Sequence, residues 1–255
     1  MKKAIKKRLA KNDVAFKIIM GLNNYLKGIY YWDFDVLAAY VMYKKDVKFV
    51  QIGSNDGVNG DPIHDYIKKY RWHGVLVEPV PYIFENLVAN YKNYEDVLFF
   101  ENSAIASENG RLKFYRLQKS DLPDLPEWYD QLGSFNKEVV LKHKDRLPHF
   151  DELFFEDTVS SITFSTLTQK YAIQDLNLVH IDTEGYDYEV LKIIPFADFN
   201  IDFLMFEHKH LSRSDYKEAK KLLQSYGYKC GLKGADTIAV KKHLVPILIK
   251  ANKKN

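Results

Sequence analysis

The chain has 255 residues, 46% of them hydrophobic, which is enough for one sizeable core in a single α/β domain with additions. A lone cysteine, Cys230, excludes a disulfide framework and a cysteine-based zinc site, so a reducing, cytoplasmic setting is expected. The net charge of +3 hides an asymmetry: residues 1–11 carry six basic side chains and residues 241–255 five, leaving 26 basic against 34 acidic residues between them. An acidic body argues against nucleic acid lying across the core.

The basic ends read as solvated tails, with peripheral contact to an anionic membrane surface as the alternative. Residues 9–14 are too polar for the apolar part of a signal peptide, and no run approaches the ~20 apolar residues of a membrane span. Residues 1–45 are expected to be helical. Asp33 is expected to cap a helix that puts Phe34, Leu37, Ala38 and Val41 on one face. Tyr25, Tyr30, Tyr31 and Trp32 before it read as a layer over the sheet edge, with a lid on the substrate cleft as the sharper alternative.

The first strand, 47–52, stops at a glycine. Gly53, Gly57 and Gly60 then punctuate a loop that leads to Asp61-Pro62 and a helix over 62–71. Strand, tight loop and helix start form the place where open α/β sheets bind ligands, because helix N–H groups and close-approaching backbone face one spot. The spacing does not match the dinucleotide fingerprint G-x-G-x-x-G, and Asp56 inside the loop would repel a pyrophosphate. A cationic or zwitterionic ligand suits it better. The next strand, 74–78, ends in Glu78-Pro79, 25 residues after Gly53, near the offset at which an acid holds a ribose diol. The two features together read as a nucleoside held without a diphosphate, for which S-adenosylmethionine fits. An ordinary βαβ turn with a helix-capping acid is the bland alternative.

A helix to about Asn90 and a strand at 97–100 follow, and Ser107-Glu108-Asn109-Gly110 reads as the turn of a hairpin. Residues 117–158, with Pro123, Pro126 and Pro148, break the alternation. This stretch is expected to be an insertion serving as a substrate lid, helical near Lys137 to Lys144. His143 and His149 within it read as surface residues. An extended piece at 159–163, a helix at 166–171 and a strand at 177–181 come next, the strand ending at Asp182-Thr183-Glu184-Gly185. A helix with Val190, Leu191 and Ile194, a strand at 201–206 ending in Glu207-His208, a helix capped at Ser212, and a C-terminal antiparallel hairpin complete the domain. Residues 243–255 read as a basic tail. Alternating elements predict a mostly parallel sheet with helices on both faces.

Phe49-Val50-Gln51-Ile52-Gly53-Ser54-Asn55-Asp56-Gly57, Val77-Glu78-Pro79, Asn102-Ser103-Ala104-Ile105 and Ile181-Asp182-Thr183-Glu184-Gly185-Tyr186-Asp187 occur in that order. Together they resemble an FkbM-type S-adenosylmethionine-dependent methyltransferase over roughly Phe49 to Val240. The resemblance implies a Rossmann-like methyltransferase domain over 46–242 with a seven-stranded sheet, and O-methylation of a hydroxyl on a sugar, glycan or small metabolite. It implies that Gly53, Ser54, Asn55 and Gly57 line the methionine and ribose side of the cofactor. Glu78 would hold the ribose hydroxyls, and Asn102, Ser103 and Ala104 would border the adenine. Asp182 would face the sulfonium. Many relatives carry an acid where Gln51 stands, so the methionine amino group is expected to find Asp56, Asp182 or backbone carbonyls instead.

A sugar hydroxyl is a poor nucleophile, so a base helps. Asp182, Glu184 and His208 are the candidates, all at carboxyl ends of expected adjacent strands. A divalent metal on Asp182, Glu207 and His208 is a lesser alternative without strict ligand spacing, and none is expected. Two rival readings are a non-catalytic nucleoside-binding or scaffold domain and a nicotinamide-dependent reductase.

Overall fold

The computed structural model describes residues 31–126 and 128–253. Tyr25, Tyr30 and most of the expected N-terminal helical segment lie outside them. Within the described part, helix α1 spans Val36–Tyr43. Its cap is Asp35, whose side chain accepts from the Ala38 N–H, and not Asp33. Trp32 is buried and donates its indole N–H to Ile238 O, while Tyr31 is exposed. Neither lines the cavity described below, so in this segment the layer reading holds over the lid.

The main sheet has seven strands: β1 (Lys48–Ile52), β2 (His73–Val77), β3 (Leu98–Glu101), β8 (Leu178–Ile181), β9 (Phe203–Glu207), β10 (Tyr228–Lys233) and β11 (Asp236–Lys241). Their spatial order is β10-β11-β9-β8-β1-β2-β3. All neighbours pair in parallel except β10 with β11 and β11 with β9. The chain leaves β1 in one direction through β2 and β3, then returns to β1's other side at β8. That makes the carboxyl ends of β1 and β8 the topological switch point, where such sheets open a crevice.

Side chains alternate across the pleat. Phe49, Leu76, Leu178, Phe203 and Ile238 face one layer, made with α1, α2 (His64–Tyr70), α3 (Pro81–Asn90) and a C-terminal helix. Val50, Ile52, Val75, Val179 and Leu204 face the other, made with three further helices. The C-terminal helix, α9 (Val245–Asn252), falls where a basic tail was expected. It buries Val245 and Leu248 in the same cluster as Val36 and Tyr40. Val245 and Leu248, three residues apart, share the buried face, Ile247 and Ile249 are exposed, and the one lysine of the helix, Lys250, lies in its last turn.

The expected hairpin around residues 107–110 does not form. β4 (Ala104–Ile105) and β5 (Gly110–Leu117) pair not with each other but each with β7 (Phe154–Ile162), the first in parallel and the second antiparallel. With β6 (Gly133–Ser134) they make a second sheet, ordered β4-β7-β5-β6. The insertion thus folds as part of this sheet, with helices α4 (Lys137–Leu141) and α5 (Phe150–Leu153). Leu117, Tyr129, Val140, Phe150 and Leu153 form its own apolar cluster. The remaining helices are α6 (Phe164–Lys170), α7 (Asp187–Ile193) and α8 (Arg213–Ser225). Ser212 caps α8 through the Asp215 N–H, as its capping-box pattern requires.

Candidate active site

A cavity of about 450 Å³ opens between the carboxyl ends of the main sheet and the second sheet. Three adjacent strand ends build its floor. β1 delivers the glycine loop, β2 delivers Glu78 and β8 delivers Asp182. The loop is drawn tight because Gly53 and Ser54 both donate their N–H groups to Val77 O. Gly53 has φ +78, and a Cβ there would stand 1.7 Å from Asp182 O. Only glycine permits the two strand ends to close to that distance. Asn55 and Glu184, both on the cavity wall, also hold left-handed backbone at φ 49. Such conformations persist where neighbours fix them, often at functional loops.

Glu78 is buried on the wall. One carboxylate oxygen accepts from the Asn55 N–H at 3.0 Å and the other from the Val80 N–H at 2.9 Å. Burial pushes it up to about 7 even against these two hydrogen bonds. Each oxygen keeps a lone pair for a further donor. Asp182 is open to the cavity. Burial by the surrounding protein, then the negative charges of Asp187, Glu184 and Glu207, raise it well above the ordinary carboxylate range. Its surface exposure and its raised pKa are consistent: solvent reaches the carboxylate through the cavity, while low-dielectric walls surround it.

Gln51 and His180 stand opposite each other in the β1–β8 register, with Gln51 Nε2 3.0 Å from His180 Nδ1. Burial lowers His180 to about 4, so the ring is neutral. Asp61 joins them on the wall. Its Oδ1 accepts from the Ile63 N–H, and burial raises it to about 6. Gln51 Oε1 and Asp61 Oδ2 are both buried, and with its amide turned Gln51 donates to Asp61, which works to lower the Asp61 carboxyl against its burial. The remaining lone pairs of the Asp61 carboxylate suit a ligand that brings N–H donors.

Of the residues singled out in the sequence, Gln51, Gly53, Ser54, Asn55, Glu78, Ser103, Ala104, Asp182 and Glu184 line this cavity. Four do not. Asp56 turns its carboxylate onto its own loop, accepting from the Val58 and Asn59 N–H groups and from Asn59 Nδ2. The acid that reaches the cavity is Asp61. Gly57 packs against Leu87 and Tyr91. Asn102 donates to Glu78 O and so braces the Glu78 strand end from behind. His208 turns toward the hairpin: its Nδ1 meets Thr237 Oγ1 at 3.2 Å and its ring stacks near Tyr216. It cannot act on a group in the cavity, and the metal set Asp182, Glu207 and His208 is not assembled.

Sequence reasoning passed over several lining residues. Gln51 and His180 are polar residues centred in otherwise apolar strands, Val50-Gln51-Ile52 and Val179-His180-Ile181, a signal that pairing places side by side. His143, expected at the surface, lines the cavity with Arg146 and Lys209. Asp187 is fully buried and accepts from Thr183 Oγ1, the Gly185 N–H and the Glu207 N–H. It ties the 183–185 turn to the end of β9, and Ser134 Oγ, from the second sheet, donates to Glu184 O in the same turn.

Residues 51–230 match the model of the methyltransferase FkbM domain. The chain belongs to the FkbM methyltransferase family. The match begins at Gln51 and ends at Cys230, so this FkbM domain takes in the cavity floor, the second sheet, the whole of β2, β3, β8 and β9, the end of β1 and the start of β10. Among solved structures, similar chains include the FkbM methyltransferase of Methylobacillus flagellatus KT, 12% identical with a TM-score of 0.47. That alignment covers 77% of this chain and 44% of the other, so the chain spans less than half of that relative. The fibrillarin pre-rRNA processing protein of Methanococcus jannaschii is 10% identical with a TM-score of 0.41, over 78% of this chain and 68% of that one. Precorrin-6y C5,15-methyltransferase of Geobacter metallireducens is 10% identical with a TM-score of 0.39, over 80% and 87%. No curated protein gives a significant sequence match.

Proposed function

We propose that this FkbM domain is an S-adenosylmethionine-dependent O-methyltransferase acting on a hydroxyl of a sugar, glycan or small metabolite. The observation that carries the reading is the convergence of the glycine loop, Glu78 and Asp182 from three adjacent strand ends onto one cavity. The walls suit the cofactor. Glu78 has free lone pairs for ribose hydroxyls, and Ser103 and Ala104 offer small side chains where an adenine would lie. The Asp61 carboxylate on the cavity wall suits an ammonium group, in place of the contact that Asp56 does not make. S-adenosylmethionine, when bound, supplies a methyl group made electrophilic by its sulfonium.

Asp182 is the general base in this reading. A carboxylate raised well above its ordinary range takes a proton more readily than a free one and still ionises as the pH rises. The acceptor hydroxyl would give its proton to a carboxylate oxygen of Asp182 as it took the methyl group, and the cofactor, its carbon–sulfur bond broken, would leave as S-adenosylhomocysteine. Glu184 sits on the same wall and keeps its charge. Burial works to raise it, but His210 and Lys209 hold it below the ordinary range. The second sheet closes the cavity opposite. Trp128 and Phe135 line it and offer flat faces for a sugar ring.

Methyl transfer to a panel of glycans and polyhydroxylated metabolites, with Asp182→Asn beside wild type, tests the reading. The variant should lose about 10²- to 10⁴-fold in kcat while still binding the cofactor. Wild-type kcat should rise with pH as Asp182 ionises, and that rise should vanish in the variant. Unchanged turnover in Asp182→Asn removes Asp182 from the mechanism.

A further inference from the structure

Beside the Asp182 wall, three ligand atoms face one another. Glu184 Oε2, Glu207 Oε2 and His210 Nε2 all lie within 4.8 Å of each other. The imidazole nitrogen is 3.1 Å from the first oxygen and 3.7 Å from the second. All three atoms are buried and none makes a well-directed hydrogen bond, although Glu184 and His210 stand at ion-pair distance. The His210 side chain is 7% exposed and that of Glu207 10%. A 3.1 Å separation without a hydrogen bond means that the oxygen stands off the ring N–H axis. Leaving three buried polar atoms unsatisfied is costly, on the order of 1–3 kcal/mol for each neutral group and more for charges.

One cation answers all three. Two ligands each about 2.1 Å from an ion stand about 3.0 Å apart at a right angle and about 3.6 Å apart at 120°. The two observed N···O distances fall close to these values. Two carboxylates and a neutral imidazole balance a divalent charge. The mixed oxygen and nitrogen donors suit a first-row transition ion better than magnesium or calcium, which prefer oxygen alone. The surroundings hold the set in place. Asp187 ties the Glu184 turn to the Glu207 N–H, and Gly185 lets His210 pack close, since a Cβ there would meet His210 Cβ at 3.2 Å. Lys209 Nζ lies 3.8 Å from Glu207 Oε1, the oxygen that faces away from the set. His143, on the cavity wall, has its ring 6.3 Å from that of His210.

We propose that Glu184, Glu207 and His210 form a divalent transition-metal site beside the cavity. The site does not depend on the methyl-transfer reading, and its test reads metal binding alone. Metal-stripped protein is titrated with Mn²⁺ while the free ion is followed by electron paramagnetic resonance, and Zn²⁺ is then added as competitor. Wild type should bind a single Mn²⁺ in the micromolar range and release it to Zn²⁺. Glu207→Gln and His210→Ala should each weaken binding by about 10-fold or more. Circular dichroism checks that each variant folds, and Glu184→Gln replaces either one that does not. A folded wild type that binds neither ion overturns the proposal, as does binding that the folded variants leave unchanged. The cluster would then be an imidazole packed between two carboxylates with no ion.

Discussion

At the scale of single residues, the close approach of Gly53 to Asp182 fixes the distance between the two loops on which the cavity depends. Gly53→Ala adds a methyl group into the Asp182 carbonyl and forces alanine to φ +78. It should destabilise the fold by about 3 kcal/mol or more, read as a lowered midpoint in urea unfolding. An unchanged midpoint would mean that the loops separate freely. Residues at strand ends were legible in the sequence because a strand's last apolar residue marks where the next side chain meets ligand. Gly53, Glu78 and Asp182 all follow that rule. At β9 the rule points to Glu207, and His208 one residue on turns away, because its N–H pairs with Ala235 O and carries it along the hairpin. The turn after β9 then brings His210 under Glu184. No spacing rule reports which of two histidines a loop will turn inward.

At the scale of elements, the mostly parallel sheet was legible from the alternating pattern and its seven strands from the family resemblance, whereas the second sheet was not. β7 pairs with β5 between residues 37 to 51 apart in the chain, so neither strand declares its partner locally. Residues 107–110 look like a hairpin turn, but the strands on either side pair with β7 and not with each other. α9 was hidden for a different reason. It is short and follows Lys241 and Lys242, so charge masked an apolar face. Its core role is testable. Leu248 is fully buried against the α1 layer, and Leu248→Ala should cost about 2–5 kcal/mol in chemical denaturation. A solvated tail would show no change.

At the scale of the whole molecule, burial around the cavity raises carboxylates: Asp61 to about 6, Glu78 to about 7 and Asp187 to about 7. Each holds its proton more tightly folded than unfolded. Their contribution to stability is full below the unfolded values near 4 and is lost as the pH rises through the folded ones. Glu101 behaves oppositely. Burial raises it, but Lys170, Ser103 and Tyr171 together hold it below its ordinary range. Its stabilising contribution is present above the unfolded value and is lost as the pH falls through the folded one. His180, lowered to about 4, works the other way between about pH 4 and 6.5, but three raised carboxylates outweigh one imidazole, so the melting temperature of the ligand-free protein should fall from about pH 5 toward about pH 7. A melting temperature that rises over that window contradicts the raised values. No helix among the described residues is long and apolar enough to cross a membrane.

The central claim is that the cavity floor binds S-adenosylmethionine through Glu78. Calorimetric titration of wild type, Glu78→Ala and Asp182→Asn with S-adenosylmethionine and S-adenosylhomocysteine tests it most directly. Micromolar binding by wild type, about 8 kcal/mol, is expected to weaken by roughly 10- to 100-fold in Glu78→Ala and to persist in Asp182→Asn. A folded wild type that binds neither compound, or a Glu78→Ala variant that binds as tightly as wild type, would contradict the account.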